Sequence, residues 1–136
     1  MIVADTNLVA QLLLGGSGLD EAKEVYRKDH AWSAPVLWRS EFTSVLAQCL
    51  RRRELSLKGA EEVYRLAEEL LGGREYFVPA GRVLRLLTIS PCSAYDCEFV
   101  ALAQIVGSRL VTSDRQVLRA FPETALTPHQ FVQGGM

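Results

Sequence analysis

Short apolar runs alternate along this chain with longer stretches whose apolar positions recur at helical spacing. Ile2-Val3-Ala4 is the first run and predicts a strand. A short helix over 8–14 follows, with Asn7 as its cap, and stops at Gly15-Gly16-Ser17-Gly18. A polar amphipathic helix is predicted over 19–28, then a strand at Ala31-Trp32-Ser33. Pro35 suits the opening turn of a helix that runs to about Arg53. Ser56 caps the next helix, over 57–71, and Gly72-Gly73 ends it. A strand at 76–78 and a helix over 81–89 come next, broken by Ser90-Pro91. Ser93 and Gly107 bracket a helix over 94–106. A strand over 109–112, a helix over 115–120 and a strand at 124–126 complete the order, and 129–132 reads as a tail.

This alternation predicts an α/β fold, a three-layer α/β/α sandwich with a mainly parallel central sheet. At 136 residues the chain reads as one domain, 1–136. In such sheets ligands bind beyond the carboxyl ends of the strands. Asp5 and Asp114 lie at or just past the ends of two predicted strands, which is the reason to place them in one site.

Composition changes this picture little. Hydrophobic residues make up 49% and charged residues 23%, with a net charge of −1, so no global basic field exists and any nucleic-acid contact must be local. Cys49, Cys92 and Cys97 form no paired spacing, which argues against a disulfide framework or a structural zinc site. No signal-peptide pattern and no run long enough to span a bilayer is present, so a soluble cytoplasmic protein is expected. The glycines at 15–18 lack the lysine and hydroxyl residue of a phosphate-binding loop.

Four acids sit where their neighbours least explain them. Asp5 follows an apolar run, where a turn or cap is the plain explanation. Glu41 shares a helix face with Leu37, Trp38 and Val45, where a solvated edge or an arginine pair is the alternative. Asp96 suits the first turn of its helix, yet leads an inward row through Phe99, Val100 and Ala103. Asp114 can simply cap the helix that follows it. Four carboxylates aimed at one place would repel unless a cation neutralised them. Glu98 lies two positions from Asp96, about 200° around the helix, and is a peripheral ligand at best. His30 and His129 have no partner that suggests histidine chemistry. Arg51-Arg52-Arg53 ends a helix, where positive charge is favourable without any RNA.

Together these residues resemble the PIN-domain ribonucleases, in particular the VapC toxins of toxin–antitoxin pairs. The likeness rests on Ile2-Val3-Ala4-Asp5-Thr6-Asn7, Ser40-Glu41-Phe42 with Val45-Leu46, Tyr95-Asp96 through Ala101-Leu102-Ala103, and Leu110-Val111-Thr112-Ser113-Asp114-Arg115. It implies that Asp5, Glu41, Asp96 and Asp114 are catalytic and hold one or two Mg²⁺ or Mn²⁺ ions, with Thr6, Asn7, Thr112 and Ser113 in support. Hard oxygen ligands suit those ions, and metal-activated water removes the need for a protein nucleophile. The resemblance further implies RNA cleavage in a transfer or ribosomal RNA loop, a VapB-type antitoxin and a homodimer. Arg115 and Arg51, Arg52 and Arg53 are candidate phosphate contacts by position.

Three other readings compete. A phosphatase of the haloacid dehalogenase type needs a second acid where this chain has Asn7, and a lysine with no obvious candidate. A degenerate PIN-like module would bind RNA or protein without cleavage. A DNA nuclease would share the same acids.

Overall fold

The computed structural model describes residues 1–134. Five strands form one sheet: β1 (Ile2–Ala4), β2 (Trp32–Pro35), β3 (Glu75–Tyr76), β4 (Leu110–Val111) and β5 (Ala125–Leu126). Neighbours all pair in parallel, in the order β3-β2-β1-β4-β5. Val3 pairs with Ser33 on one side and Leu110 on the other. Every residue of β1, β2, β4 and β5 is buried, as expected of strands covered on both faces.

Eight helices accompany the sheet among the described residues: α1 (Thr6–Leu14), α2 (Leu19–Lys28), α3 (Trp38–Arg51), α4 (Leu57–Leu71), α5 (Ala80–Leu87), α6 (Ala94–Val106), α7 (Arg115–Ala120) and α8 (Pro128–Val132). The almost wholly apolar α6 packs across β1, β2 and β4, and α5 packs on α6. On the other side α4 rests on β2, and α1 and α3 pack on α4. Right-handed crossovers require this division, so the three-layer α/β/α sandwich expected from the sequence is the architecture observed. The chain steps outward from β1 to β3, then crosses back to β4 and β5. The seam between β1 and β4 is therefore where the winding reverses, and such seams open a crevice at the strands' carboxyl ends.

Four expectations need correction. Pro35 closes β2, and α3 begins only at Trp38. Val36 donates to the Tyr76 carbonyl and Ala34 to that of Arg74, while pairing of β2 to β1 stops at Ser33. Pro35 thus falls where no amide donor is needed. The cap of α1 is Asp5 and not Asn7: its Oδ1 accepts from the Leu8 amide at 2.8 Å. β3 covers 75–76, one residue earlier than expected, and leaves Phe77 almost fully exposed. The expected tail at 129–132 belongs to α8, where Thr127 and Gln130 form a reciprocal capping box with Pro128 in the first turn. Phe131 is buried there, and Lys28 holds its carbonyl.

The exit of α3 has an unusual residue. Glu54 N–H bonds the Cys49 carbonyl at 2.9 Å and Arg53 N–H bonds that of Leu50 at 3.1 Å, a Schellman closure. Arg53 takes the left-handed position that glycine normally fills, with φ 58°. At the end of α6, Gly107 fills the equivalent position with φ 66°. No helix of the described residues is long and apolar enough to cross a membrane.

Candidate active site

All four singled-out acids line one cavity of about 290 Å³ at the carboxyl end of the sheet. β1 delivers Asp5 one residue beyond its end, and β4 delivers Thr112 and then Asp114. Glu41 comes from the first turn of α3 and Asp96 from the first turn of α6. The cavity thus sits over the seam between β1 and β4, with helices from the two opposite layers completing its walls. Thr6 and Asn7 also line it, together with Ser44, Val45, Phe99 and Val117.

The capping explanations and the cavity placement hold at the same time. Asp114 Oδ1 caps α7 by accepting from the Val117 amide at 3.0 Å. Asp5 caps α1 while lining the cavity. At α6 the Ser93 hydroxyl accepts from the Asp96 amide at 3.1 Å. Cys92 and Cys97 occupy the positions flanking that cap where a hydrophobic staple normally packs, and both are buried free thiols. At Asp5 and Asp114 the cap therefore fixes one carboxylate oxygen and leaves the other for other work.

Two threonines hold the acids in place. Thr112, 2% exposed, donates to Asp5 Oδ2 at 2.5 Å and accepts from the Asp114 amide at 3.1 Å. It bridges the two acids that end β1 and β4. Thr6 is also buried and donates to Glu41 Oε1 at 2.6 Å. Ser113 is exposed and does not line the cavity.

The site carries an electrostatic load. Burial pushes the Asp5 carboxyl up to about 6, against the pull of Thr112 and the Leu8 amide; the charges of Asp114 and Glu41 push the same way. Glu41 is raised by burial and by Asp96, with Thr6 opposing. Asp96 is raised by burial and by Asp114, with Ser93 opposing. The repulsions close into a ring: Asp5 with Asp114, Asp114 with Asp96, Asp96 with Glu41, and Glu41 with Asp5. Glu98 is raised by burial and by Glu41, and it does not line the cavity.

The basic candidates are less central. Arg115 follows Asp114 and is exposed, and it does not line the cavity. Arg51, Arg52 and Arg53 are exposed at the far end of α3, ten residues or about 15 Å of helix from Glu41. Ser44 was missed as a site residue; its spacing of three from Glu41 on one helix is the signal that marks it.

Residues 2–123 match the PIN domain. The chain belongs to the PIN domain family. PIN domains are generally nucleases and generally use divalent metals. Solved structures agree on the fold at 18% identity in each case. The crystal structure of PAE2754 from Pyrobaculum aerophilum superposes with a TM-score of 0.75, covering 98% of this chain and 94% of its own. A toxin–antitoxin complex from Klebsiella pneumoniae gives 0.71, covering 94% of this chain and 98% of its own. No curated protein matches the sequence.

The donor chemistry of this PIN domain fits a hard cation. The polar groups lining its cavity offer oxygen donors and the Asn7 amide, with no imidazole or thiolate among the lining residues. A ring of mutually repelling carboxylates is what a divalent ion relieves. Among the described residues, no three His, Cys, Asp or Glu side chains stand close enough as placed to hold an ion. The acids surround the cavity instead of converging on a point.

Proposed function

We propose that this PIN domain is a metal-dependent endoribonuclease, hydrolysing RNA phosphodiester bonds as the toxin of a VapBC-type toxin–antitoxin pair. The observation that carries this reading is the gathering of Asp5, Glu41, Asp96 and Asp114 around one cavity at the carboxyl end of the sheet. A protein gains nothing for its own stability from four like charges gathered at one cavity. These four residues would hold one or two Mg²⁺ or Mn²⁺ ions. A bound ion supplies Lewis acidity at a phosphoryl oxygen and activates water near neutral pH.

The chain's own residues do the remaining work. Thr112 and Thr6 hold Asp5 and Glu41 in fixed rotamers, so the acids need little reorganisation when substrate arrives. Asn7 and Ser44 present neutral polar groups to the same space. Arg115 contacts phosphate beside the site, and Arg51 to Arg53 do so only along a longer RNA. The sequence resemblance and the fold shared with a toxin–antitoxin complex support a VapB-type antitoxin partner, a homodimer, and a transfer or ribosomal RNA loop as target. The chain acts in the cytoplasm as a single domain.

The test is cleavage of single-stranded RNA by the antitoxin-free protein with Mn²⁺, beside Asp96→Asn and Glu41→Gln variants and a single-stranded DNA control. Each variant is expected to keep its fold and to lose ~100-fold or more in rate. Cleavage that survives either substitution, or that is indifferent to chelator, overturns the assignment. RNA binding without cleavage would identify a non-catalytic module.

A further inference from the structure

Among the described residues Tyr95 has no ring or hydrogen-bond partner, although it adjoins Asp96 of the candidate site. Its ring is 62% exposed, and among the described residues it meets no other ring and its hydroxyl makes no hydrogen bond. It precedes Asp96 in the first turn of α6 and stands four residues before Phe99, which lines the cavity. Residues at this spacing share one helix stripe. Helical side chains lean toward the amino terminus. Phe99 therefore forms cavity wall, and Tyr95, which does not itself line the cavity, lies one turn nearer the start of α6 and next to Asp96, which does.

We propose that Tyr95 is a stacking platform for the unpaired base next to the scissile phosphate, a positioning and specificity residue of the nuclease; this rests on the function proposed above. An aromatic face beside a phosphate-binding site recognises single-stranded nucleic acid, because every base offers a flat surface once it is unstacked. A duplex keeps its bases paired and offers the ring no such face. The proposal thus narrows the substrate to strands with an unpaired base at the cleavage position, while leaving base identity open.

The test uses single-stranded RNA oligonucleotides carrying the fluorescent base 2-aminopurine at successive positions. Binding is read as fluorescence quenching with Ca²⁺, and cleavage kinetics are read with Mn²⁺. Tyr95→Ala is expected to lose the quenching and raise KM roughly tenfold, with kcat nearly unchanged. Tyr95→Phe is expected to retain both. Leu57→Ala removes another exposed side chain, 67% exposed and beyond the far end of α3, and serves as a control without effect. Unchanged quenching and KM in Tyr95→Ala overturn the inference while leaving the nuclease reading standing. Quenching that depends on Tyr95 without any cleavage by the unaltered protein sinks the nuclease reading, and with it the role at a scissile phosphate, leaving only a base contact. A Tyr95→Ala variant that changes only self-association in sedimentation marks the ring as a protein contact and overturns the inference.

Discussion

Replacing Asp5 with asparagine should stabilise the metal-free protein, although Asp5 caps a helix and accepts two hydrogen bonds. Its carboxyl is raised from 3.8 to about 6 by burial and by the charges of Asp114 and Glu41. A raised carboxyl means the folded state prefers the proton. That contribution to stability is fully present below the unfolded value of 3.8 and is lost as pH rises through about 6. The difference of about two units corresponds to roughly 3 kcal/mol near neutral pH, an upper figure because the site is partly open to water. Asparagine caps a helix as well as aspartate, so the Leu8 bond survives. Its amide can donate to Thr112, whose hydroxyl has a second acceptor site. The expected gain for Asp5→Asn is therefore ~1–3 kcal/mol in urea unfolding with chelator near pH 7.5, shrinking toward zero near pH 4. Mn²⁺ should reverse the order, since an ion at a hundred times its dissociation constant adds about 2.7 kcal/mol to the unaltered protein and little to the variant. A variant less stable than the parent near pH 7.5, or an advantage that ignores pH, refutes the reasoning.

Thr112→Val should destabilise by ~1–3 kcal/mol, because Asp5 loses a donor and the Asp114 amide loses its acceptor; urea unfolding measures this, and no change would mean the bridge contributes nothing. The same variant should move the Asp5 titration upward, read by carbon-detected NMR, since a donor that favours the charged form is gone. Arg53→Gly should raise stability by about 1 kcal/mol, because glycine adopts the left-handed backbone without strain; a loss on thermal unfolding would contradict the Schellman assignment. Thr127→Ala should cost about 1 kcal/mol by removing the cap of α8, and amide exchange near Phe131 should rise with it.

Much of the layered order was legible because β1 and β4 are short apolar runs followed by polar breakers. β1, α4 and α6 fall where Ile2-Val3-Ala4, the Ser56 and Gly72 signals and the Ser93 and Gly107 signals put them. Pro35 misled because proline opens helices and also closes strands that have run out of partners; only pairing decides between them. Asp5 and Asn7 both suit a cap two residues apart, and the strand's length chose Asp5. The α8 helix was announced by Thr127-Pro128 and Gln130, a capping signal overlooked in so short a segment. At the cavity, the acids were visible as polar residues out of place. Their roles as local caps and their shared cavity coexist, which no single-residue weighing could separate.

The reversal of winding between β1 and β4 divides the acids two and two. Asp5 and Glu41 precede the exposed Gly72-Gly73 turn, and Asp96 and Asp114 follow it. Neither fragment owns a complete constellation. On the nuclease reading, a polypeptide still leaving the ribosome is harmless to the RNA that makes it until β4 has emerged and slotted in beside β1.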